Sequence, residues 1–228
     1  MKNSVIILLT LTSLTFISVN QTSAQPLKCN FLVKPINEYT LSENTIKSKS
    51  DYCHHEKTYS VQQPLSQVWN FYNTVNTKDV WDSKNAKYIM SYDNNQKKSN
   101  SVQSDLHDTL KQYKTYLLQL SFLIFIKIKV IFQITKIDSI NKIIEFTYMK
   151  ENKSNGFQTL QFSEVNGQTL IKHTSYFTSG NNFRDKYIYP KFHEVALDDF
   201  HSHVFNLLNM KIEIQNVLAV STTTETSK

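Results

Sequence analysis

The sequence predicts an α+β domain, an antiparallel sheet of about seven strands closed by one long C-terminal helix. Three observations carry this. Between Phe125 and Phe177, runs of alternating apolar and polar residues are separated by turn signals. Two of the three glycines lie in the pairs Asn155-Gly156 and Asn166-Gly167, and Asn-Gly is the strongest short hairpin signal because both residues tolerate positive φ. Finally, apolar residues recur at helical spacing from about Tyr187 or Pro190 to Met210.

Residues 1–24 read as a cleavable export leader. Lys2 supplies the positive start, Val5 to Val19 is apolar, and Gln21-Thr22-Ser23-Ala24 is a small-residue site with cleavage expected after Ala24. The apolar stretch is about 15 residues, short of the roughly 20 that a bilayer span needs. The expected location is therefore secreted or periplasmic, with an uncleaved anchor as the alternative. Cys29 and Cys53 are the only cysteines, and an even count in an exported chain reads as one disulfide. A metal site built from Cys29, Cys53, His54 and His55 lacks the usual ligand spacing, so no metal is expected.

The remaining chain of about 204 residues is long enough to bury a core of its own. Its formal net charge of +6 falls by one when Lys2 leaves with the leader. Lys97-Lys98 is the only adjacent basic pair, so nucleic-acid binding is not indicated. The absence of G-x-S-x-G, P-loop, H-E-x-x-H and G-x-G-x-x-G patterns leaves no nucleophile or cofactor signature.

Residues 25–54 are polar and read as an irregular arm, with the domain proper at 55–212 and a loose tail at 213–228. Thr58 to Gln62 is predicted to open the sheet. Pro64 then starts a helix with Val68, Phe71, Tyr72 and Val75 on its apolar side and Trp69 toward its edge. A short helix or turn follows at Thr77 to Trp81. Strands are expected at Ala86 to Tyr92, twice between Asn100 and Leu120, and at Phe125 to Ile137, Ile143 to Met149, Phe157 to Phe162 and Thr169 to Phe177. Leu117 to Phe125 is apolar on both faces. It is either buried twice over or an exposed flap available for transient membrane contact. Lys127 and Lys129 argue against a span through a bilayer. Asn152-Lys153-Ser154 is a glycosylation sequon in an expected loop.

Specific residues carry a family likeness. Tyr59-Ser60-Val61-Gln62-Gln63-Pro64-Leu65-Ser66-Gln67-Val68-Trp69-Asn70-Phe71 resembles the opening strand and first helix of the START-like superfamily, also called SRPBCC. Trp81, Gly167-Gln168-Thr169-Leu170-Ile171-Lys172-His173 and the helix from Pro190 to Leu208 are similar to later parts of the same pattern. The likeness spans roughly Glu56 to Met210 and includes lipid-transfer domains, plant pollen allergens and polyketide cyclase-like proteins. The polar arm and the apolar run at 117–125 depart from it. The resemblance implies a helix-grip fold, in which the curved sheet wraps the long helix and a cavity between them binds a hydrophobic small molecule or lipid.

The ligand-facing set expected from strand parity and helix phase is Ile171, His173, Phe177, Phe192, Ala196, Phe200, His203 and Leu207. Asp199 stands four residues before His203, a spacing at which a carboxylate can orient an imidazole as a general base. His203, Asp199 and His173 are thus the candidates for catalysis, against a reading in which they are merely hydrogen-bonded. Lys191, Glu194, Asp198 and His201 are expected to face away. The leading expectation is an exported monomeric carrier or sensor without a cofactor. The alternatives are a cyclase- or hydrolase-like enzyme and an interaction module without a ligand.

Overall fold

A computed structural model describes residues 34–42, 52–104, 107–122 and 126–225, with side chains through residue 215. The expected export leader and Cys29 lie outside the described residues, as does most of the expected arm.

The strands are β1 (Cys53–Val61), β2 (Ala86–Asp93), β3 (Lys98–Ser101), β4 (Lys114–Phe122), β5 (Ile126–Asp138), β6 (Ile143–Tyr148), β7 (Asn155–Val165) and β8 (Gln168–Thr178). The helices are α1 (Leu65–Thr74), α2 (Thr77–Val80) and α3 (Tyr189–Glu225), the last entered through a π-turn at Arg184–Ile188. All eight strands form one antiparallel sheet in the order β1-β8-β7-β6-β5-β4-β2-β3, so the first strand pairs with the last. Irregularities between Tyr88 and Met90 and between Ile134 and Lys136 interrupt the register, and bulges of this kind bend and twist a sheet. The concave face closes on α3, which gives a helix-grip α+β architecture.

Alternation explains most of the sheet. In β5, Val130, Phe132 and Ile134 line the interior as expected, while Lys127 and Lys129 stay exposed. Leu117 and Leu118 in β4 are no more than 2% exposed although they project to opposite faces, and the strand itself is paired on both sides, with β2 and with β5. The exposed flap considered for Leu117 to Phe125 is therefore not present over 117–122, and 123–125 lie outside the described residues. Among the described residues no helix is long and apolar enough to cross a membrane.

Four expectations need correction. The first strand begins at Cys53 rather than Thr58, because its inward row is polar: His55, Lys57 and Tyr59 meet α3 through hydrogen bonds, which leave no hydropathy signal. Cys53 is exposed and has no disulfide partner among the described residues; its expected partner Cys29 lies outside them. The arm is partly ordered. Ile36 is buried, Leu41 bridges Met149, and Ser42 N–H donates to the Tyr148 carbonyl at 2.9 Å. Asn155-Gly156 is not a hairpin turn but the first two residues of β7. Glycine is needed there because the backbone has φ +139° and the Tyr176 carbonyl approaches where a Cβ would stand. Asn166-Gly167 does form the β7–β8 turn, with φ 52° and 77°. Finally, α3 continues to Glu225 where a loose tail was expected.

The sequon is structural. The Asn152 side chain accepts from Ile131 N–H at 3.0 Å and donates to the Ile131 carbonyl at 2.5 Å, which ties the β6–β7 connection to β5. At the opposite corner, Lys114 forms a buried ion pair with Asp108, whose carboxylate also accepts from Ser91 at 3.0 Å. Burial pushes the Lys114 ammonium down to about 8. This corner fixes the segment that carries Leu110 over the interior.

Candidate functional site

The sheet and α3 enclose two adjoining cavities. The inner lobe, about 100 Å³, lies between the sheet, α2 and α3. Its wall is overwhelmingly apolar, built from residues such as Leu118, Phe132, Ile134 and Phe146 on strands and Leu197, Phe200 and Val204 on the helix. Trp81 closes one side, stacked on Phe200 with ring centroids 4.5 Å apart. The outer lobe, about 110 Å³, opens between β4, β5 and the start of α3, where Phe122 meets Phe192 edge-on at 5.1 Å. The two lobes share Leu120, Val130, Tyr148, His193 and Ala196.

Along one wall of the inner lobe, polar side chains form a continuous buried chain, while Thr77 lines it elsewhere. Gln158 Oε1 accepts from His173 Nε2–H at 2.5 Å. His173 Nδ1 must then be an acceptor, so His201 Nε2–H donates to it at 3.1 Å. His201 Nδ1 in turn accepts from the Tyr72 hydroxyl at 2.9 Å. At the other end the Gln158 amide donates to the Tyr148 hydroxyl, which lies 3.0 Å from the Tyr189 hydroxyl. With neutral imidazoles every donor along this chain points the same way. His193 stands beside it, with Nε2 at 3.1 Å from Ser175 Oγ and Nδ1 at 3.4 Å from His55 Nδ1.

Burial sets the charge state. It pushes His201 and His193 down to about 3 and His173 well below the ordinary imidazole value, with His201, His193 and His55 adding to the effect on His173. Burial also raises the phenols of Tyr72, Tyr148 and Tyr189 above their ordinary value. The inner lobe is thus bordered by neutral groups at neutral pH.

The residues expected from sequence divide clearly. His173, Ala196 and Phe200 line the inner lobe, and Phe192 lines the outer one. Ile171 and Phe177 are fully buried but sit in the surrounding core, Phe177 stacked on Tyr189 at 3.8 Å. Leu207 packs at the flank of the core. His203 and Asp199 do not pair. His203 Nε2 bonds the Asp79 carbonyl at 2.8 Å, while Asp199 accepts from the Ser83 hydroxyl and from Asn85 N–H, the latter at 2.9 Å. His201, expected to face away, is fully buried.

The buried row of α3 is His193, Leu197, Phe200, His201, Val204 and Leu208. It is turned by roughly 70° from the expected stripe, at 100° per residue. Two histidines counted as polar displaced the apparent apolar face. Tyr189, His193, Leu197 and His201 follow at four-residue intervals, a signal that marks one face of a helix. Gln158, Tyr72 and Tyr148 carried no comparable mark. Among the described residues no group of three or more His, Cys, Asp or Glu converges as for a metal ion.

No family model and no curated protein matches the sequence. Solved structures do match. A point mutant of norcoclaurine synthase from Thalictrum flavum, in complex with a transition-state analogue, aligns at TM-score 0.51 and 9% identity, over 70% of this chain and 96% of that one. Ara h 8.0201 aligns at TM-score 0.46 and 8% identity, over 70% and 99% of the two chains. At such identities the likeness is one of fold, and the chain has the helix-grip fold that norcoclaurine synthase displays.

Proposed function

We propose that the protein is an exported carrier or sensor of a small hydrophobic or amphipathic molecule and a divergent START-like domain. The carrying observation is the inner lobe: an apolar room whose few polar groups already satisfy one another. Both ring nitrogens of His173, His193 and His201 have protein partners, so no imidazole is left facing the lobe as a base. Such a wall favours holding a ligand over transforming it. The leader supports export, with removal after Ala24. The protein works as a monomer in this reading.

Volume narrows the ligand. An engineered cavity of about 150 Å³ holds benzene. Lobes of about 100 and 110 Å³ therefore suit one or two rings or a medium chain, rather than a sterol or a diacyl lipid.

The neutral fluorophore 1-naphthylamine is the direct probe. The expected result is saturable one-to-one binding, weakened at least tenfold by Ala196→Trp, which fills the boundary between the lobes. Absence of saturable binding, or an Ala196→Trp variant that binds as before, overturns the reading. N-terminal sequencing of the protein recovered outside the producing cells checks export. A chain starting at Gln25 is expected, and a retained Met1 overturns that part.

A further inference from the structure

The outer lobe carries a charge pattern that the inner lobe lacks. Lys129, Lys153 and Arg184 stand in its lining, and among the described residues no carboxylate does. The acids next to this mouth along the chain are engaged elsewhere. Glu151 pairs with Lys34 at 2.6 Å. Asp185 accepts from the backbone N–H and the hydroxyl of Ser179 at 2.8 and 2.6 Å. The half-buried Arg184 guanidinium is held by neutral oxygens, donating to the Lys153 carbonyl at 2.8 Å and to Ser154 Oγ at 2.9 Å. Its position is fixed while its charge is not compensated by a carboxylate. A guanidinium so placed retains N–H donors for a planar anion, and a low-dielectric wall beside it strengthens the attraction.

Apolar surface continues directly behind these cations. Phe122, Ile128 and Phe192 line the outer lobe, and Ala196 and His193 connect it to the inner one. We propose that the outer lobe is the head-group site for a single-chain amphipathic carboxylate. Arg184 and Lys153 hold the head with Lys129 beside them, and the tail runs past Ala196 into the neutral inner lobe. The two lobes together suit a tail of about eight to ten carbons, scaled from the engineered cavity that holds benzene. This inference rests on the reading of the cavity as a binding site and adds the charge and shape of what enters.

Isothermal titration calorimetry with decanoate and decan-1-ol at pH 7.5 and low salt tests it. Decanoate is expected to bind at least tenfold more tightly than decan-1-ol, with the preference shrinking as salt is added. In K129Q/K153Q/R184Q the preference disappears. Arg184 also fastens residues 153 and 154, so K129Q/K153Q, which alters only exposed side chains, provides the independent arm and is expected to cut the preference at least threefold. Equal affinities in the unaltered protein, or a preference retained in both variants, overturn the head-group site and leave the cavity reading standing. Binding of neither compound overturns both.

Discussion

Acidification from pH 7.5 to pH 5 is expected to lower the melting temperature by at least 10 °C. The cause is the buried histidine wall. His193 and His201 are pushed down to about 3, and His173 lies well below its ordinary value. In the unfolded chain all three return to about 6.5. Between these values the unfolded state binds more protons, so stability is fully present above pH 6.5 and drains away as pH falls. At pH 5 each independent histidine costs about 2 kcal/mol, and coupling along the chain reduces the sum. A domain of this size loses roughly 2–4 °C per kcal/mol. A proton added to His173 Nδ1 would require His201 to reverse its tautomer and donate from Nδ1 to the Tyr72 hydroxyl. Urea denaturation across pH 5–7.5 checks this, and His201→Gln should reduce the proton uptake on unfolding by about one. A stability that stays flat over that range would show that the imidazoles are not buried as neutral groups.

Gly156→Ala is expected to cost at least 3 kcal/mol. A Cβ at this position would lie 1.9 Å from the Tyr176 carbonyl oxygen, and φ is +139°, a region essentially restricted to glycine. Both β7 and β8 would have to separate where Gly156 pairs with Phe177. Gly167→Ala is the comparison: φ is +77° with open space around the Cβ, so only the left-handed backbone penalty of roughly 1–2 kcal/mol applies. Urea midpoints of the two variants measured side by side decide the matter. Equal losses would mean that the strands give way at Gly156 without cost.

These two glycines show what a sequence reveals and what it conceals. Both stand after asparagine, and both suit unusual backbone, yet one turns a hairpin and the other admits a neighbouring carbonyl. Local sequence reports the need for glycine and not which need it is. The meander from β5 to β8 was legible because apolar and polar residues alternate along much of it, as Phe132 and Ile134 do with Gln133 and Thr135. The first half of β1 was not, because inward residues of this strand reach α3 through Lys57–Asp198, Lys57–Glu194 and Tyr59–Asp198 contacts. The site was legible at His173, Phe192, Ala196 and Phe200, where parity or helical spacing sufficed. The phase of α3 slipped because two histidines that composition alone scores as solvent-facing are interior, His193 bonded to Ser175 and His55 and His201 to His173 and Tyr72.

The pairing of β1 with β8 also has a kinetic consequence. Cys53 meets Phe177 and Val61 meets Thr169 across the sheet, so the edge forms only after almost the whole domain has been synthesised. Loop closure over such a separation precedes any reward from the contacts it creates. Until then the hairpins from β4 to β7 can assemble locally while their concave face awaits α3. Folding should therefore be slow for the chain length, with β1 docking last. A chain halted before Gln168 would present that unsealed apolar face to any chaperone or translocation partner that holds it.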